Sequence, residues 1–427
     1  MGFALMTKRI TILAHGTRGD VQPALALGKA LQAVGYGVRL LASPNFEKWI
    51  EAHGLDTAVS RVNVQTVMES AGGQQWVESG HKPLVQLRVM RQLIAEAGWE
   101  MMIDAWQACQ DADAIISSFT SDVYAYSIAE KLGRPLMSLA LQPTTIATSN
   151  GRSLINAPLP TRTSLVNKLF AKLFIEPVPW QIYGDMTNRF RQEILGLPPS
   201  SARANVARRR QTPTLLAYSQ HIVPFPDDWP SPYQNTGYLF LDDDQDWQPP
   251  TALEAFLANG SPPIGLGFGS MIGRNPTQIM QLLIEAVQQS GQRAILLSGW
   301  AGFAEMALPD AIFQLPAAPH SWLYPQLAAV VHHGGAGTTA AGIRAGVPSV
   351  IIPHMVDQPF WGTRLHQLGV SPAPIPRHKL TTEKLAAAIH LAVSDIAMQE
   401  RATKLGEAVR AEDGVATAVS LIQRLLM

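Results

Sequence analysis

The stretch that decides the fold reads His332-His333-Gly334-Gly335-Ala336-Gly337-Thr338-Thr339. It follows a short apolar run that ends at Val330 and Val331 and opens a segment with helical spacing, which predicts a strand, a glycine-rich turn and a helix. Glycines let the backbone approach a ligand closely, and the free N–H groups at a helix start favour an anion. With His333, Thr338 and Thr339 as further donors, the pattern indicates a diphosphate site. A turn that binds nothing is the structural alternative.

Similar units flank this stretch and recur in the first half of the chain. The apolar runs and helical segments that carry the pattern are Ile10 to Ala14, Val38 to Ala42, Ala114 to Ile116, Leu136 to Leu141, Thr214 to Ser219, Ile264 to Phe268, Pro276 to Ser290, Ala294 to Leu297 and Val350 to Ile352. Alternating strands and helices predict parallel, doubly wound sheets. We therefore predict an α/β fold of two Rossmann-like doubly wound domains that face a cleft.

A change in composition separates the two series. From Val223 to Pro250 the chain is rich in Pro, Asp and Trp, which is typical of an interdomain linker. We predict an N-terminal domain over residues 1–235, a linker over 236–252 and a C-terminal domain over 253–427. Whether the last helix packs back on the N-terminal domain is left open.

The bulk composition excludes several classes of protein. Charged residues make up 15% of the chain, and 33 basic side chains balance 33 acidic ones, so a nucleic-acid partner is not expected. The single cysteine, Cys109, cannot form an intramolecular disulfide, which favours a reducing cytoplasm. The run Ile10 to Ala14 is too short for a signal peptide, and no apolar run of about 18 residues predicts a membrane span. We expect a cytoplasmic protein and leave peripheral membrane attachment open.

Other residues near strand ends suit further groups of a ligand that carries a diphosphate. Asp357 and Gln358 supply acceptors and donors for sugar hydroxyls, and Ser270 follows the turn at Gly267 and could reach a phosphate. Trp300 offers a flat apolar face for a base, although a core aromatic fits this position equally well.

Several of these stretches resemble the two-domain GT-B glycosyltransferases of the UDP-glycosyltransferase family (family 1), in its sterol glucosyltransferase and antibiotic glycosyltransferase branch. The matching stretches are Gly16 to Pro23, Thr236 to Tyr238, Gly267 to Ser270, Leu296 to Trp300, Pro319 to Leu323, Val330 to Thr339 and Asp357 to Gly362. The resemblance implies an inverting transferase that moves a sugar, with glucose expected, from a UDP-sugar to a hydroxyl of an apolar acceptor such as a sterol. It implies no metal and no other cofactor.

The resemblance also implies roles for individual residues. The implied donor-binding residues are Ser270, Trp300, Ala318, His333, Gly335, Gly337, Thr338, Thr339, Asp357 and Gln358. His333 would contact the diphosphate, the backbone at Ala318 would flank the uracil, and Asp357 would hold the sugar. The chain departs from the plant enzymes in having Leu315 near their uracil-stacking Trp and Ala341 at their ribose-binding Glu.

Asp20 is the expected catalytic base, because the resemblance places it where the sterol and antibiotic branches carry an Asp. Attack by a hydroxyl requires the removal of its proton, which a positioned carboxylate can accept. Asp20 could also cap the helix entered at Pro23, and the two roles are compatible. His15 is a weaker candidate, for which a strand-end histidine bonded to the backbone is the simpler interpretation. The acidic runs Asp111 to Asp113 and Asp242 to Asp244 are interpreted as solvated charge, so no metal site is predicted.

Residues 164–175 interrupt the strand–helix alternation. Their apolar face consists of Leu165, Val166, Leu169, Phe170, Leu173 and Phe174. Lys168 and Lys172 lie opposite, and Arg208-Arg209-Arg210 follows further along the chain. An amphipathic helix of this kind usually packs on its own domain. If the acceptor is a bilayer lipid, the helix could instead rest weakly on an anionic membrane surface.

Other acceptors and functions stay open on the sequence alone. A macrolide, a polyphenol or a carotenoid-type alcohol are alternative acceptors. A nucleotide-sugar-binding protein without transferase activity and a nucleotide-sugar epimerase are alternatives of another class.

Overall fold

The computed structural model describes residues 8–80, 82–149, 164–242, 247–267, 276–298 and 308–427. Contacts divide the chain into two compact units. The first comprises Met1–Gly73, Leu84–Leu241 and Glu412–Met427, and the second comprises Gln74–Pro83 and Asp242–Ala411. The first unit therefore extends past residue 235, and the C-terminal segment belongs to it.

The first unit is built on a parallel sheet of seven strands. These are β1 (Arg9–Leu13), β2 (Gly37–Ala42), β3 (Asp56–Val59), β4 (Ala114–Ser118), β5 (Leu136–Ala140), β6 (Thr214–Leu216) and β7 (Tyr233–Asn235). Their order across the sheet is β3-β2-β1-β4-β5-β6-β7. The short edge strands β3 and β7 are not among the predicted strands.

Helices cover both faces of this sheet. They are α1 (Arg18–Ala33), α2 (Glu47–Ala52), α3 (Val64–Glu69), α5 (Pro83–Ala108), α6 (Asp122–Leu132), α7 (Ser164–Phe170), α8 (Val178–Glu193) and α9 (Ala202–Gln211), with a π-helical turn at Ala171–Ile175. A further helix, α4 (Ala71–Glu78), begins in the first unit and continues into the residues assigned to the second. Ile10 and Ile12 of β1 pack in the core on one face, and Leu13 packs in the core on the other. Burial on both faces explains why the strands read as continuous apolar runs.

The second unit repeats the design with a parallel sheet of five strands. They are β8 (Ile264–Gly267), β9 (Ala294–Leu297), β10 (Ile312–Leu315), β11 (Ala329–His332) and β12 (Ser349–Ile351), in the order β10-β9-β8-β11-β12. The helices are α10 (Thr251–Ala258), α11 (Pro276–Ser290), α12 (His320–Leu323), α13 (Ala336–Ala345), α14 (Gln358–Gln367), α15 (Thr382–Ser394) and α16 (Ile396–Arg410). The last helix, α17 (Gly414–Leu426), packs in the first unit, where Ala418 and Ile422 join its core.

Each sheet has a switch point at which the strand order reverses. In the first unit it lies beside β1, which pairs with β2 on one side and β4 on the other. In the second unit it lies beside β8, between β9 and β11. Open parallel sheets bind ligands beyond the carboxyl ends of strands at such points. Two doubly wound α/β domains, as predicted, are thus confirmed. Within the described ranges, none of the helices is long and apolar enough to cross a bilayer.

Candidate active site

In the first unit, hydroxyl groups after β4 hold the chain that leaves β1. Ser118 donates a hydrogen bond to the carbonyl of Leu13 at 3.0 Å, and Thr120 donates to the carbonyl of His15 at 2.5 Å. Ser121 adds a longer bond to Leu13 at 3.3 Å. These bonds fix the start of the loop that leads from β1 to α1, the helix that carries Asp20, at the switch point of the sheet.

Asp20 occupies the third position of α1 and closes a capping box with Thr17. Its Oδ2 accepts hydrogen bonds from the backbone N–H of Thr17 at 2.8 Å and from the Thr17 hydroxyl at 3.2 Å. A side chain at Gly16 would overlap the Asp20 carboxylate, so this close approach requires glycine. Both bonds use Oδ2, and the second oxygen is not needed for the cap. The capping role that the sequence suggested is therefore present, and it is compatible with a role as base.

Burial raises the pKa of Asp20 above its ordinary value, and the hydrogen bonds from Thr17 only partly oppose this effect. A carboxylate with a raised pKa is a stronger proton acceptor than an ordinary Asp. The residue is half-buried rather than fully enclosed, so it keeps some contact with solvent.

His15 is buried just after β1. The sequence favoured a hydrogen bond from this ring to the backbone, but the ring instead contacts a side chain. Its Nδ1 lies 2.7 Å from the hydroxyl of Tyr124. Its Nε2 is buried and has no hydrogen-bond partner among the described residues. Burial lowers the pKa of His15 to about 4, so the ring is neutral near pH 7. Tyr124 lies in the buried part of α6. The apolar sequence of this helix indicates that Tyr124 is buried, but it does not indicate that His15 is its partner.

In the second unit, the glycine-rich stretch forms a strand end, a turn and the start of α13, as predicted. Gly335 is the N-cap residue of α13. A Cβ on Gly335 would lie 2.5 Å from Nε2 of His333, so glycine is required for the ring to approach the start of the helix. Burial lowers the pKa of His333 to about 4, and the ring is therefore a neutral imidazole rather than a cation near pH 7.

The two threonines of this turn differ in exposure. Gly337 is exposed and Thr338 is half-buried, so both are within reach of a ligand at the helix start. Thr339 is fully buried, and its hydroxyl has no hydrogen-bond partner in the described part of the chain. Adjacent side chains on a helix point to different sides, which accounts for the difference in exposure between the two threonines.

Asp357 and Gln358 follow β12 at the start of α14, where Asp357 is the N-cap residue and Gln358 the first residue of the helix. Asp357 is half-buried and accepts a hydrogen bond from the Trp361 indole at 2.8 Å. Gln358 is buried, and its Oε1 accepts from the backbone N–H groups of His354 at 2.8 Å and Met355 at 3.1 Å. The oxygen of the Gln358 amide is thus used by the protein itself.

The remaining predicted donor residues are only partly described. Ala318 follows β10 and is half-buried against a cluster that includes Leu315 and Ala341, the two departures from the plant pattern. Ser270 and Trp300 lie outside the described residues.

The acidic runs are ion-paired rather than simply solvated. Asp111 pairs with Arg9 and Arg39, and Asp242 pairs with Arg344. In the ranges that the structure describes, acidic, histidine and cysteine side chains do not gather into a metal-binding group.

The segment 164–175 turns its apolar side chains outwards. Leu165 is 77% exposed, Leu169 59% and Phe174 59%, whereas Phe170 packs inwards. Lys168 forms an ion pair with Asp228 at 2.9 Å. Burial alone would raise the pKa of Asp228, but hydrogen bonds from Thr148, Lys168 and Ser149 hold it below its usual range.

The arginines further along are not free surface charges either, contrary to the expectation. Arg208 pairs with Glu130 and Arg210 with Glu176. Arg209 is buried and donates to the carbonyl of Glu176 at 2.7 Å. Most of the basic side chains that could attract an anionic membrane are therefore ion-paired or buried within the first unit.

Comparison with known proteins agrees with this architecture. Residues 10–148 match the glycosyltransferase family 28 N-terminal domain, and residues 293–423 match the erythromycin biosynthesis protein CIII-like C-terminal domain. Among solved structures, the glycosyltransferase of kitacinnamycin covers 99% of the chain with a TM-score of 0.72 at 20% identity. The glycosyltransferase VinC, in complex with dTDP, covers 97% with a TM-score of 0.64 at 18% identity. These likenesses define the fold as that of a GT-B glycosyltransferase.

Relatives of known sequence narrow this class. Sterol 3-beta-glucosyltransferase UGT80B1 of Arabidopsis thaliana is 33% identical over 98% of the chain and 68% of its own length. Sterol 3-beta-glucosyltransferase of Emericella nidulans is 35% identical over 97% of the chain. The chain spans 30% of that fungal relative's length. The chain belongs to the sterol 3-beta-glucosyltransferase family.

Proposed function

We propose that the chain is an inverting glucosyltransferase that moves glucose from UDP-glucose to the hydroxyl of a sterol or sterol-like acceptor. The names of its relatives support glucose as the transferred sugar and a sterol as the acceptor, and the resemblance in the nucleotide-binding half supports a UDP-linked donor. The observation that carries the chemistry is the Asp20 carboxylate with its raised pKa at the switch point of the first unit.

In this proposal Asp20 accepts the proton of the acceptor hydroxyl as the oxygen attacks the anomeric carbon of glucose. The bond from that carbon to the diphosphate breaks, and UDP leaves with the electron pair. Attack opposite the leaving group inverts the configuration, so an α-linked donor gives a β-linked product. The positive end of α13 and a hydrogen bond from neutral His333 stabilise the charge that develops on the diphosphate.

The experiment offers UDP-glucose with ergosterol or cholesterol, with a macrolide, a polyphenol and a carotenoid-type alcohol in parallel. The proposal predicts a steryl glucoside by mass spectrometry, with an unchanged rate after treatment with EDTA. Transfer only to another acceptor class would contradict the sterol assignment. A C2 epimer of the donor, or UDP-glucose binding without any product, would contradict the transferase itself.

We also propose that the exposed apolar face of residues 164–175 rests on a bilayer surface. A sterol acceptor resides in a bilayer, and a short amphipathic helix with exposed leucines and a phenylalanine suits its interface. Because Lys168, Arg208 and Arg210 are ion-paired within the protein and Arg209 is buried, apolar burial is the main contribution and charge a minor one. Attachment should therefore resist salt, unlike the charge-driven attachment that the sequence suggested.

Vesicle co-sedimentation tests this attachment. Replacement of Leu169 and Phe174 by Ser should release the protein from neutral phosphatidylcholine vesicles, since both side chains are more than half exposed. The matched control Lys172→Glu, on the same segment, should release it far less. If Lys172→Glu releases the protein equally, or if the unaltered protein does not bind the vesicles, the apolar face does not attach the protein to a bilayer.

A further inference from the structure

The turn between β12 and α14 contains a backbone conformation that its sequence disfavours. Val356 has a φ of 53°, in the left-handed region, where a β-branched residue is an outlier. Such conformations persist only where the surrounding structure over-determines them, and they cluster at ligand sites. The next two residues are Asp357 and Gln358, the expected sugar-binding pair.

The Gln358 side chain is hydrogen-bonded to the backbone of this turn. Its Oε1 accepts hydrogen bonds from two consecutive backbone N–H groups, of His354 at 2.8 Å and Met355 at 3.1 Å. Its own backbone N–H donates to the carbonyl of Met355 at 3.2 Å. The side chain is 4% exposed, so these bonds form away from competing water.

Three further contacts surround the same turn. The indole of the fully buried Trp361 donates to Asp357 at 2.8 Å. The backbone N–H of Arg377 donates to the carbonyl of Pro353 at 3.2 Å. The backbone of Gly80, in the part of the second unit that precedes α5, lies against the carbonyl of His354 so closely that a Cβ there would overlap it.

We propose that Gln358 is a positioning residue, whose amide oxygen locks the strained turn so that Asp357 meets the donor sugar. This rests on the proposed function and deepens it. Of the pair, Asp357 is the half-exposed member and Gln358 the buried one. The direct alternative is that Gln358 binds a sugar hydroxyl through its amide N–H groups. The two roles use opposite ends of the same amide, which makes them separable.

Two substitutions separate the roles, with calorimetric binding of UDP-glucose and of UDP as the measurement. Gln358→Glu keeps an acceptor oxygen and loses the N–H donors, whereas Gln358→Met loses both at similar size. The lock predicts that Gln358→Met weakens UDP-glucose binding about tenfold and leaves UDP binding unchanged. It predicts only about a threefold loss for Gln358→Glu. Equal losses for both variants, or no loss for Gln358→Met, would overturn it.

Val356→Gly provides a second, independent readout, because glycine adopts a φ of 53° without strain. Added to Gln358→Met, it should restore part of the UDP-glucose affinity, and a sugar contact through N–H groups would not be restored. Gln367→Met, at an exposed position of α14, is the control for the substitution itself. If the unaltered protein does not bind UDP-glucose, the proposed donor fails rather than the proposed role of Gln358.

Discussion

Asp20 caps α1, and the proposed function makes the same carboxylate the catalytic base; a single substitution distinguishes the two roles. Asn keeps an oxygen that can accept from Thr17, so Asp20→Asn preserves the cap but removes the base. We expect turnover to fall about 10²–10⁴-fold, the usual contribution of a positioned base. UDP affinity should not change. Near-normal turnover in the folded Asn variant would show that Asp20 is a cap only.

At the scale of the element, α13 carries two adjacent threonines whose surroundings predict opposite outcomes. The buried hydroxyl of Thr339 has no partner in the described part of the chain, and such a group costs about 1–3 kcal/mol. Thr339→Val should therefore leave UDP affinity unchanged and raise the melting temperature.

Thr338→Val is the matched change on the half-buried neighbour, and it should weaken UDP binding without raising stability. Calorimetry with UDP and thermal unfolding of both variants provide the comparison. If Thr339→Val weakens UDP binding as much as Thr338→Val does, then both hydroxyls serve the diphosphate and the buried placement of Thr339 is not the binding state.

At the scale of the whole molecule, buried neutral histidines make stability depend on pH. Burial lowers the pKa of His15 and His333 to about 4, and lowers the pKa values of His332 and His354 further below their ordinary range. The unfolded chain takes up protons near pH 6.5, where the folded protein does not. The contribution of these histidines to the free energy of unfolding should therefore be greatest above about pH 6.5, and it should decrease progressively as the pH falls towards about 4.

Thermal unfolding between these pH values checks this dependence. The melting temperature should fall as the pH decreases through the window, and His15→Phe should weaken the dependence. A melting temperature that stays constant from neutral to mildly acidic pH would mean that these rings are already protonated, or accessible, in the folded protein.

The sequence predicts most of the architecture because its signals are local. Apolar runs mark the central strands, and glycine-rich turns mark the two strand ends at which the site residues lie. The edge strands β3 and β7 are short and partly polar, so they give no such run. The ion pair of Lys168 with Asp228 joins residues far apart in the chain, and no spacing rule could predict it.

The candidate site also contains residues that could be predicted from local sequence and features that could not. The positions of Asp20 and His333 follow from the turn patterns, because strand ends and helix starts are visible in sequence. The burial of Thr339, the phenol beside His15 and the strained Val356 depend on tertiary packing, and so become apparent only in the fold.

The proposed transfer of glucose to a sterol hydroxyl inverts the configuration of the anomeric carbon. Proton NMR of the product formed from UDP-glucose and ergosterol, read at the anomeric proton, tests this directly. We expect a steryl glucoside in the β configuration, formed by the unaltered protein and nearly absent with Asp20→Asn. An α-linked product, or equal product from both proteins, would contradict it.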